Sequence, residues 1–148
     1  MSTESLSRET TLMVRDSCLC LHAQRAARAL ARRFDEAFRP LGLTNGQFSL
    51  LMSLNRPDPP TLGTAAAFLA MDRTTMTAAL KPLQRRKLVK VAADKEDGRA
   101  RRLVLTDAGR GLLAKAVPIW VDEHGKLDRE LKAHSLESLR KGLKAMSK

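Results

Sequence analysis

The fold is decided by residues 71–106, whose sequence is MDRTTMTAALKPLQRRKLVKVAADKEDGRARRLVLT. The first half has the apolar period of a helix that Asp72 can cap and that runs from Arg73 to about Arg86. The apolar period then shortens to two, which indicates strands at residues 88–91 and 103–105 with a charged, glycine-containing segment between them. The stretch therefore predicts a helix followed by a β-hairpin.

A shorter helix precedes this one, because Thr61 can cap a helix that extends through Leu69. Two short helices joined by a tight turn form a helix-turn-helix, whose second helix fits the major groove of DNA. The residues expected to face or flank the groove are polar or cationic: Arg73, Thr74, Thr75, Thr77, Lys81, Gln84 and Arg85. Taken alone, this helix is explained equally well as an ordinary surface helix with a threonine-rich face.

The hairpin adds the expectation of a wing beside that helix. Its tip carries Lys95 and Arg99, and the negative potential of a minor groove attracts such side chains. Arg101 and Arg102 lie on the outgoing strand, where we expect phosphate contacts. Residues 72–102 hold ten Lys or Arg and four Asp or Glu, whereas residues 42–71 hold one of each sign. The net charge of +11 is thus concentrated in one stretch, which favours double-stranded DNA as the partner.

Both ends of the chain are predicted to be helical. The first helix spans about Asp16–Arg39, and Thr106 can cap a helix that follows the hairpin and that Pro118 should kink. A final helix is expected over roughly Leu127–Met146, whereas residues 1–14 look like a polar tail. The predicted fold class is therefore mainly α with a small β-hairpin wing.

This organisation predicts a dimer. Residues 42–106 form the winged helix-turn-helix domain, and residues 15–41 and 107–148 form a helical dimerisation region. The end helices carry apolar stripes that a winged helix does not need for its own core. Pairing these stripes across a two-fold axis gives a homodimer that binds a pseudo-palindromic operator.

Two segments resemble MarR-type transcriptional regulators. MDRTTMT at residues 71–77, with the leucine and valine positions of residues 83–89, looks like the recognition helix of that family. DGR at residues 97–99, followed by LVLTDAG at residues 103–109, is similar to its wing signature. The resemblance covers about residues 18–124. One departure is Lys87, which stands where the family often has glycine, and another is Pro82 within the recognition helix.

The resemblance implies several site residues. Arg99 would enter the minor groove with Asp97 as its ion-pair partner. A pocket between the DNA-binding and dimerisation parts would take a small aromatic or phenolic effector that releases a repressor from DNA. Trp120 and His22 are the candidate pocket residues. For Trp120 packing in the dimer core is the favoured alternative, and for His22 an ordinary surface or helix-packing role.

The cysteines leave one alternative open. Cys18 and Cys20 are too close in sequence for a disulfide framework, which is typical of a protein from a reducing compartment. Cys20 lies where related organic-hydroperoxide sensors carry their reactive thiol, but this chain has no tyrosine, and those sensors surround the thiol with tyrosines. Packing of both cysteines inside a helix is therefore favoured over a redox role for Cys20.

Other function classes find less support in the sequence. The histidines show no metal-ligand spacing, no cofactor motif is present, and nothing nominates a catalytic group, so we expect neither a metal, nor a cofactor, nor an enzyme. The N-terminus lacks an apolar signal segment, and no run is long enough to span a membrane, so the chain should be cytoplasmic. A winged helix that binds RNA or another protein remains an alternative, because the same basic surface fits RNA.

Overall fold

A computed structural model describes residues 5–148. Within these residues the chain is mainly helical, with a single two-stranded antiparallel hairpin, which confirms the predicted fold class. A short 3-10 turn at Arg39–Leu41 separates the second and third helices. In chain order the elements are α1 (Arg8–Ser17), α2 (Leu19–Phe38), α3 (Asn45–Leu54), α4 (Leu62–Phe68), α5 (Arg73–Arg85), β1 (Val89–Ala93), β2 (Arg101–Leu105), α6 (Asp107–Glu130) and α7 (Leu136–Met146).

The helices of the winged domain begin at the predicted caps. The Thr44 hydroxyl accepts the Gln47 amide at 3.1 Å and the Gln47 side chain returns a bond to the Thr44 amide, so a complete capping box starts α3. The Thr61 hydroxyl accepts the Thr64 amide at 3.1 Å at the start of α4. Asp72 caps α5 in the same way. Each helix start is thus fixed by a polar side chain three residues before the amide that it binds.

Two helix ends close on residues with a left-handed backbone. Ala70 has φ 55° after α4, and Lys87 has φ 60° after α5. After α5 the Leu88 amide donates to the Leu83 carbonyl at 2.9 Å and the Lys87 amide donates to Gln84, which is the Schellman pattern. Lys87 therefore occupies a conformation that favours glycine, which explains why the family often has glycine at this position.

The hydrophobic core lies where α2, α3, α5, α6 and the hairpin meet. Phe38 stacks on Phe48 with ring centroids 4.7 Å apart, and this pair fills the space between α2 and α3. The largest fully buried side chains are Phe38, Leu50, Leu51, Leu54, Met76, Leu83 and Leu103. Because these residues come from both the winged domain and α2, the recognition helix is packed into one continuous core with the start of the predicted dimerisation region.

Strand β2 has hydrogen-bonding partners on both of its edges. In the antiparallel pair Val91 lies opposite Leu103, and the Leu103 amide also donates to the Pro60 carbonyl at 2.9 Å. Thr61 forms an isolated β-bridge with Arg102 on the same edge. The proline-rich linker between α3 and α4 therefore covers the free edge of β2 at Arg102 and Leu103.

A glycine lets α6 approach the hairpin closely. A Cβ atom at Gly109 would lie 2.3 Å from the Leu88 carbonyl oxygen and 2.7 Å from the Leu105 side chain. The same carbonyl accepts the Thr106 amide and hydroxyl, each at 3.0 Å. The start of α6 is thus anchored on the base of the wing.

The chain ends differ from the sequence expectation. Residues 1–4 of the expected tail lie outside the described residues, but α1 begins at Arg8, where Ser7 caps it. Cys18 separates α1 from α2 instead of lying inside one helix. The final helix begins at Leu136 rather than Leu127, because α6 continues through Pro118 to Glu130 and Ser135 caps a new helix. Ser7 and Ser135, each followed three residues later by Thr10 or Ser138, are the sequence features that could have indicated these two helix starts.

Ion pairs join α2 to α6. Arg33 donates to Glu123 at 2.7 Å and to Glu130 at 2.6 Å. Hydrogen bonds to Glu130 and Glu123 raise the pKa of Arg33, and the bond from Arg33 lowers the pKa of Glu130. None of the helices within residues 5–148 is both long and apolar enough to cross a membrane.

Candidate nucleic-acid interface

The outer face of α5 is free of internal packing. Met76, Leu80 and Leu83 bury the inner face, with exposures of 4% or less. All seven residues predicted to face or flank the groove are exposed: Arg73, Thr74, Thr75, Thr77, Lys81, Gln84 and Arg85. The helix therefore has one side anchored in the core and a polar, cationic side that faces solvent.

The first turn of α5 is organised by Asp72. Its Oδ1 accepts the Thr75 amide at 2.7 Å, and its Oδ2 accepts the Thr75 hydroxyl at 3.0 Å. These two bonds from Thr75 lower the pKa of Asp72. The Thr75 hydroxyl proton is consequently engaged within the helix, although the residue is exposed. Arg73 lies across α4, where its Nη2 is 3.1 Å from the position that a Cβ of Gly63 would occupy.

The tip of the wing presents its cations to solvent. Lys95 and Arg99 are both exposed, as the sequence predicts for side chains that reach beyond the hairpin. Asp97 does not form the expected ion pair with Arg99: its Oδ1 accepts the Arg99 backbone amide at 3.0 Å. Among residues 5–148 no ion pair joins the two side chains. The reason is local, because this carboxylate closes a turn on its own backbone two residues ahead.

The two arginines of β2 occupy different environments. Arg101 is exposed. Arg102 has 30% of its side chain exposed and donates to Asp94 Oδ2 through Nε at 3.2 Å and Nη2 at 2.9 Å. Its Nη1 donates to the Pro59 carbonyl at 2.8 Å. Arg102 is thus bound to internal partners. Asp94 was not predicted as one of them, because it belongs to a run of charged loop residues that no motif separates.

A second feature is an apolar cavity of about 550 Å³ between α3, α4 and α6. Phe48, Phe68 and Trp120 supply aromatic walls, and Ser49 and Ser53 supply hydroxyl groups. No charged side chain lines it in the described part of the chain. Phe68 is 77% exposed, which is unusual for a large aromatic side chain on a helix that packs into the core.

His22 does not share this cavity with Trp120. It lies on a groove along α2 that Arg25, Arg28 and Arg32 also line, and its Nδ1 is 2.7 Å from the Cys18 carbonyl oxygen. The histidine beside Trp120 is His124, with ring centroids 4.6 Å apart. His124 and Trp120 are four residues apart on α6, so helical spacing was the available signal for this pair.

The cysteines lie at the junction of α1 and α2. The Cys18 sulfur accepts the Leu21 amide at 3.4 Å and caps α2, whereas Cys20 is exposed and accepts the Gln24 side-chain amide at 3.3 Å. The favoured expectation of packing inside a helix does not fit Cys20, because its side chain faces solvent. Among residues 5–148 no cluster of three or more His, Cys, Asp or Glu is arranged to hold a metal ion.

Comparison with known proteins identifies the family. The family model described as "MarR family" matches residues 41–100. The M. tuberculosis transcriptional regulator MosR, solved in complex with DNA, is 36% identical, with a TM-score of 0.77 over 88% of this chain and 94% of that one. The chain belongs to the MarR family of transcriptional regulators. It is therefore grouped with regulators rather than with enzymes, as the sequence predicts.

Two further transcriptional regulators are similar to this chain. The HTH-type transcriptional regulator TtmR of Methylorubrum extorquens (strain PA1) is 33% identical over 100 residues, which cover 68% of this chain and 51% of TtmR. The match thus spans about half the length of that relative. A transcriptional repressor, CouR, solved bound to a 23-mer DNA duplex, is 28% identical, with a TM-score of 0.71 over 90% of this chain and 92% of that one.

Proposed function

We propose that this MarR-family chain is a homodimeric repressor that binds a pseudo-palindromic DNA duplex and leaves it when a small aromatic effector binds. The observation that carries the proposal is the solvent-facing polar and cationic side of α5, whose opposite side is buried, followed directly by a wing with exposed Lys95 and Arg99 at its tip. The relatives MosR and CouR, both solved with DNA, support it.

In this proposal the residues of α5 and of the wing contact different parts of the DNA. Thr74, Thr77 and Gln84 face base edges in the major groove, where hydroxyl and amide groups read donor and acceptor patterns. Arg73, Lys81 and Arg85 contact guanine edges or phosphates, and Thr75 offers its methyl group to a thymine. Arg99 enters the adjacent minor groove beside Lys95.

The test is footprinting on the intergenic DNA beside the gene, followed by anisotropy titrations of the protected duplex. We expect Arg99→Ala and Arg73→Ala each to weaken binding by about 1–3 kcal/mol. Lys132→Ala is the control, because this exposed lysine lies in the turn between α6 and α7. Equal affinity for every duplex of the same length would contradict a sequence-specific regulator, and a preference for structured RNA over the duplex would favour the alternative RNA-binding function.

The homodimer is inferred from apolar faces that the single chain leaves uncovered. Leu19 on α2 is 68% exposed, and Leu139 and Leu143 on α7 are 50% and 44% exposed. These helices belong to the two chain ends, which lie outside the winged domain. We expect Leu139→Arg with Leu143→Arg to give a monomer in sedimentation and to weaken operator binding, whereas Arg140→Ala on the same helix should leave the dimer intact. A wild-type chain that stays monomeric at micromolar concentration would overturn this part.

The effector is inferred from the lining of the apolar cavity. Phe48, Phe68 and Trp120 offer aromatic surfaces for stacking, and the hydroxyls of Ser49 and Ser53 can bind one polar group of a ligand. Since no charged side chain lines the cavity within residues 5–148, an uncharged phenol or ester fits it better than a free carboxylate.

Trp120 is the single tryptophan of the chain, so its fluorescence reports binding in this cavity directly. We expect uncharged phenolic ligands to change its emission and to release DNA, with Phe68→Ala weakening both effects. The carboxylate of similar shape is the control ligand. DNA release by a compound that leaves the Trp120 emission unchanged would place the effector elsewhere.

A redox role for Cys20 is the second candidate. It is favoured by the exposure of this thiol, because a sensing sulfur must be accessible. Peroxide should then release the wild-type protein from DNA and fail to release Cys20→Ser. Equal release of both proteins would rule this candidate out.

A further inference from the structure

The wing of this protein is attached to the rest of the domain by a chain of hydrogen bonds that runs through one arginine. We propose that Arg102 is a positioning residue: it contacts no DNA itself but sets where Arg99 points, by joining the wing loop to the linker between α3 and α4. This inference rests on the proposed DNA-binding function and assigns a role to Arg102 that differs from the phosphate contact expected from the sequence.

The first step of the chain joins Arg102 to the linker. Its Nη1 donates to the Pro59 carbonyl at 2.8 Å, beside the backbone bond from the Leu103 amide to the Pro60 carbonyl at 2.9 Å. Prolines fix their own φ angle and restrict the residue before them, so the linker is a stiff support. Arg102 and Leu103, in the half of β2 nearer the wing loop, are thus held to the linker by two hydrogen bonds.

The second step joins Arg102 to the loop. Nε and Nη2 form a fork on Asp94 Oδ2, and Asp94 Oδ1 accepts the Glu96 amide at 3.1 Å. Only 16% of the Asp94 side chain is exposed. One carboxylate therefore binds the guanidinium with one oxygen and shapes the loop with the other, and a fork of this kind fixes direction as well as distance.

The third step leads to the wing tip. The Asp94 amide donates to the Ala100 carbonyl, and the Ala100 amide donates to the Asp97 carbonyl, each at 3.0 Å. Asp97 in turn binds the backbone amide of Arg99 at 3.0 Å. A series of hydrogen bonds through Asp94, Ala100 and Asp97 therefore connects the Asp94–Arg102 pair to the backbone of Arg99. Three of the five guanidinium N–H groups of Arg102 bind Asp94 and Pro59, which leaves fewer donors for a phosphate.

Two variants distinguish a positioning role of Arg102 from a phosphate contact. The two roles predict opposite changes in DNA affinity for Asp94→Asn. Asp94→Asn removes a negative charge near the DNA, so it should strengthen binding if charge alone matters. Positioning predicts the reverse, a loss of about tenfold, comparable to misplacing one minor-groove arginine. Arg102→Lys keeps the charge but loses the fork, so positioning predicts a similar loss with an unchanged dependence of affinity on salt.

The matched control is Arg101, which lies next to Arg102 on β2 and is exposed. Arg101→Ala should reduce the slope of log affinity against log salt by about one if it binds a phosphate, whereas Arg102→Lys should not change that slope. In an Arg99→Ala background, Arg102→Lys should cause no further loss, because its effect acts through Arg99.

The measurements are anisotropy titrations of the operator duplex by the full chain at several salt concentrations, with circular dichroism melting of each variant. A wild-type protein that binds no duplex defeats the proposed function. A wild-type protein that binds, together with tighter binding of Asp94→Asn or additive losses in the Arg99→Ala background, defeats the positioning role alone. If the Arg102→Lys variant unfolds below the assay temperature, the direction of the change in DNA affinity caused by Asp94→Asn still tests the positioning role.

Discussion

Two glycines of α6, only two residues apart, should respond to alanine with opposite signs. At Gly109 the added Cβ would lie 2.3 Å from the Leu88 carbonyl oxygen, a backbone atom that cannot rotate away. At Gly111 nothing lies within 4 Å of the added Cβ. The helix gains about 1 kcal/mol from alanine at an exposed position, so Gly111→Ala should stabilise the protein by about that amount.

Gly109→Ala should lower the stability of the protein, because the added Cβ would force α6 away from the wing base. Overpacking of a tight contact costs about 1–3 kcal/mol. Moving α6 away from Leu88 also weakens the hydrogen bond from the Thr106 amide to that carbonyl, at about 1 kcal/mol, and disturbs the Thr106 hydroxyl, whose proton lies between the carbonyls of Lys87 and Leu88. After subtracting about 1 kcal/mol of helix propensity, Gly109→Ala should destabilise the protein by about 2 kcal/mol or more.

Thermal melting at equal protein concentration measures both changes, because the stability of the proposed dimer would depend on its concentration. For a chain of this size 1 kcal/mol corresponds to about 3 °C in Tm. We therefore expect Gly109→Ala to melt about 6 °C below the wild type and Gly111→Ala about 3 °C above it. Equal melting of Gly109→Ala and wild type would refute the close approach of α6 to the wing base.

Three further outcomes are expected. Lys87→Gly should stabilise the protein by about 0.5–1 kcal/mol in denaturant unfolding, because glycine adopts the left-handed backbone without strain. Arg86→Met should destabilise it by about 1 kcal/mol, since the Arg86 guanidinium donates to the Gly42 carbonyl at 2.8 Å. The pKa of Asp94 should lie below its ordinary value of 3.8, because the Glu96 amide and then Arg102 stabilise its charged form. The stabilisation of the folded wing by the Asp94 charge is therefore present above pH 3.8 and is lost as the pH falls through the lowered pKa, which NMR titration of the carboxyl carbon measures.

Each of these outcomes has a matched control. Lys87→Ala removes the same side chain but keeps the left-handed strain, so it should bring no gain in stability. Arg85→Met changes the neighbouring exposed arginine and should leave stability within about 0.5 kcal/mol. Arg102→Lys should move the pKa of Asp94 upward. An unchanged pKa in that variant would contradict the fork, and a loss of stability in Lys87→Gly would contradict the backbone argument.

The helices of the winged domain were predictable because their signals are local. The capping box at Thr44 and the caps at Thr61, Asp72 and Thr106 each act over three residues, and the structure places helix starts at all four. The change of apolar period likewise located the hairpin to within two residues. Pattern reasoning succeeds where the deciding contact lies within one turn of the chain.

The site could be predicted only in part, because some of its contacts join distant residues. The bond from Arg102 to the Pro59 carbonyl spans 43 residues, and no spacing rule connects them. The same holds for the cavity, where Phe68 and Trp120 meet from two helices on either side of the hairpin. Whether Asp94 or Asp97 binds an arginine side chain depended on which carboxylate the loop turns inward, and the order of charges in the loop does not show this.

The unbroken α6 gives the molecule a lever. At about 1.5 Å per residue its 24 residues measure about 36 Å, from the Leu88 carbonyl at the wing base to the ion pairs with Arg33 at the far end. A tilt of about 5° over this length displaces the far end by about 3 Å. In the proposed homodimer, a ligand beside Trp120, midway along α6, would therefore act through one helix on both the spacing of the two wings and the helices that join the protomers.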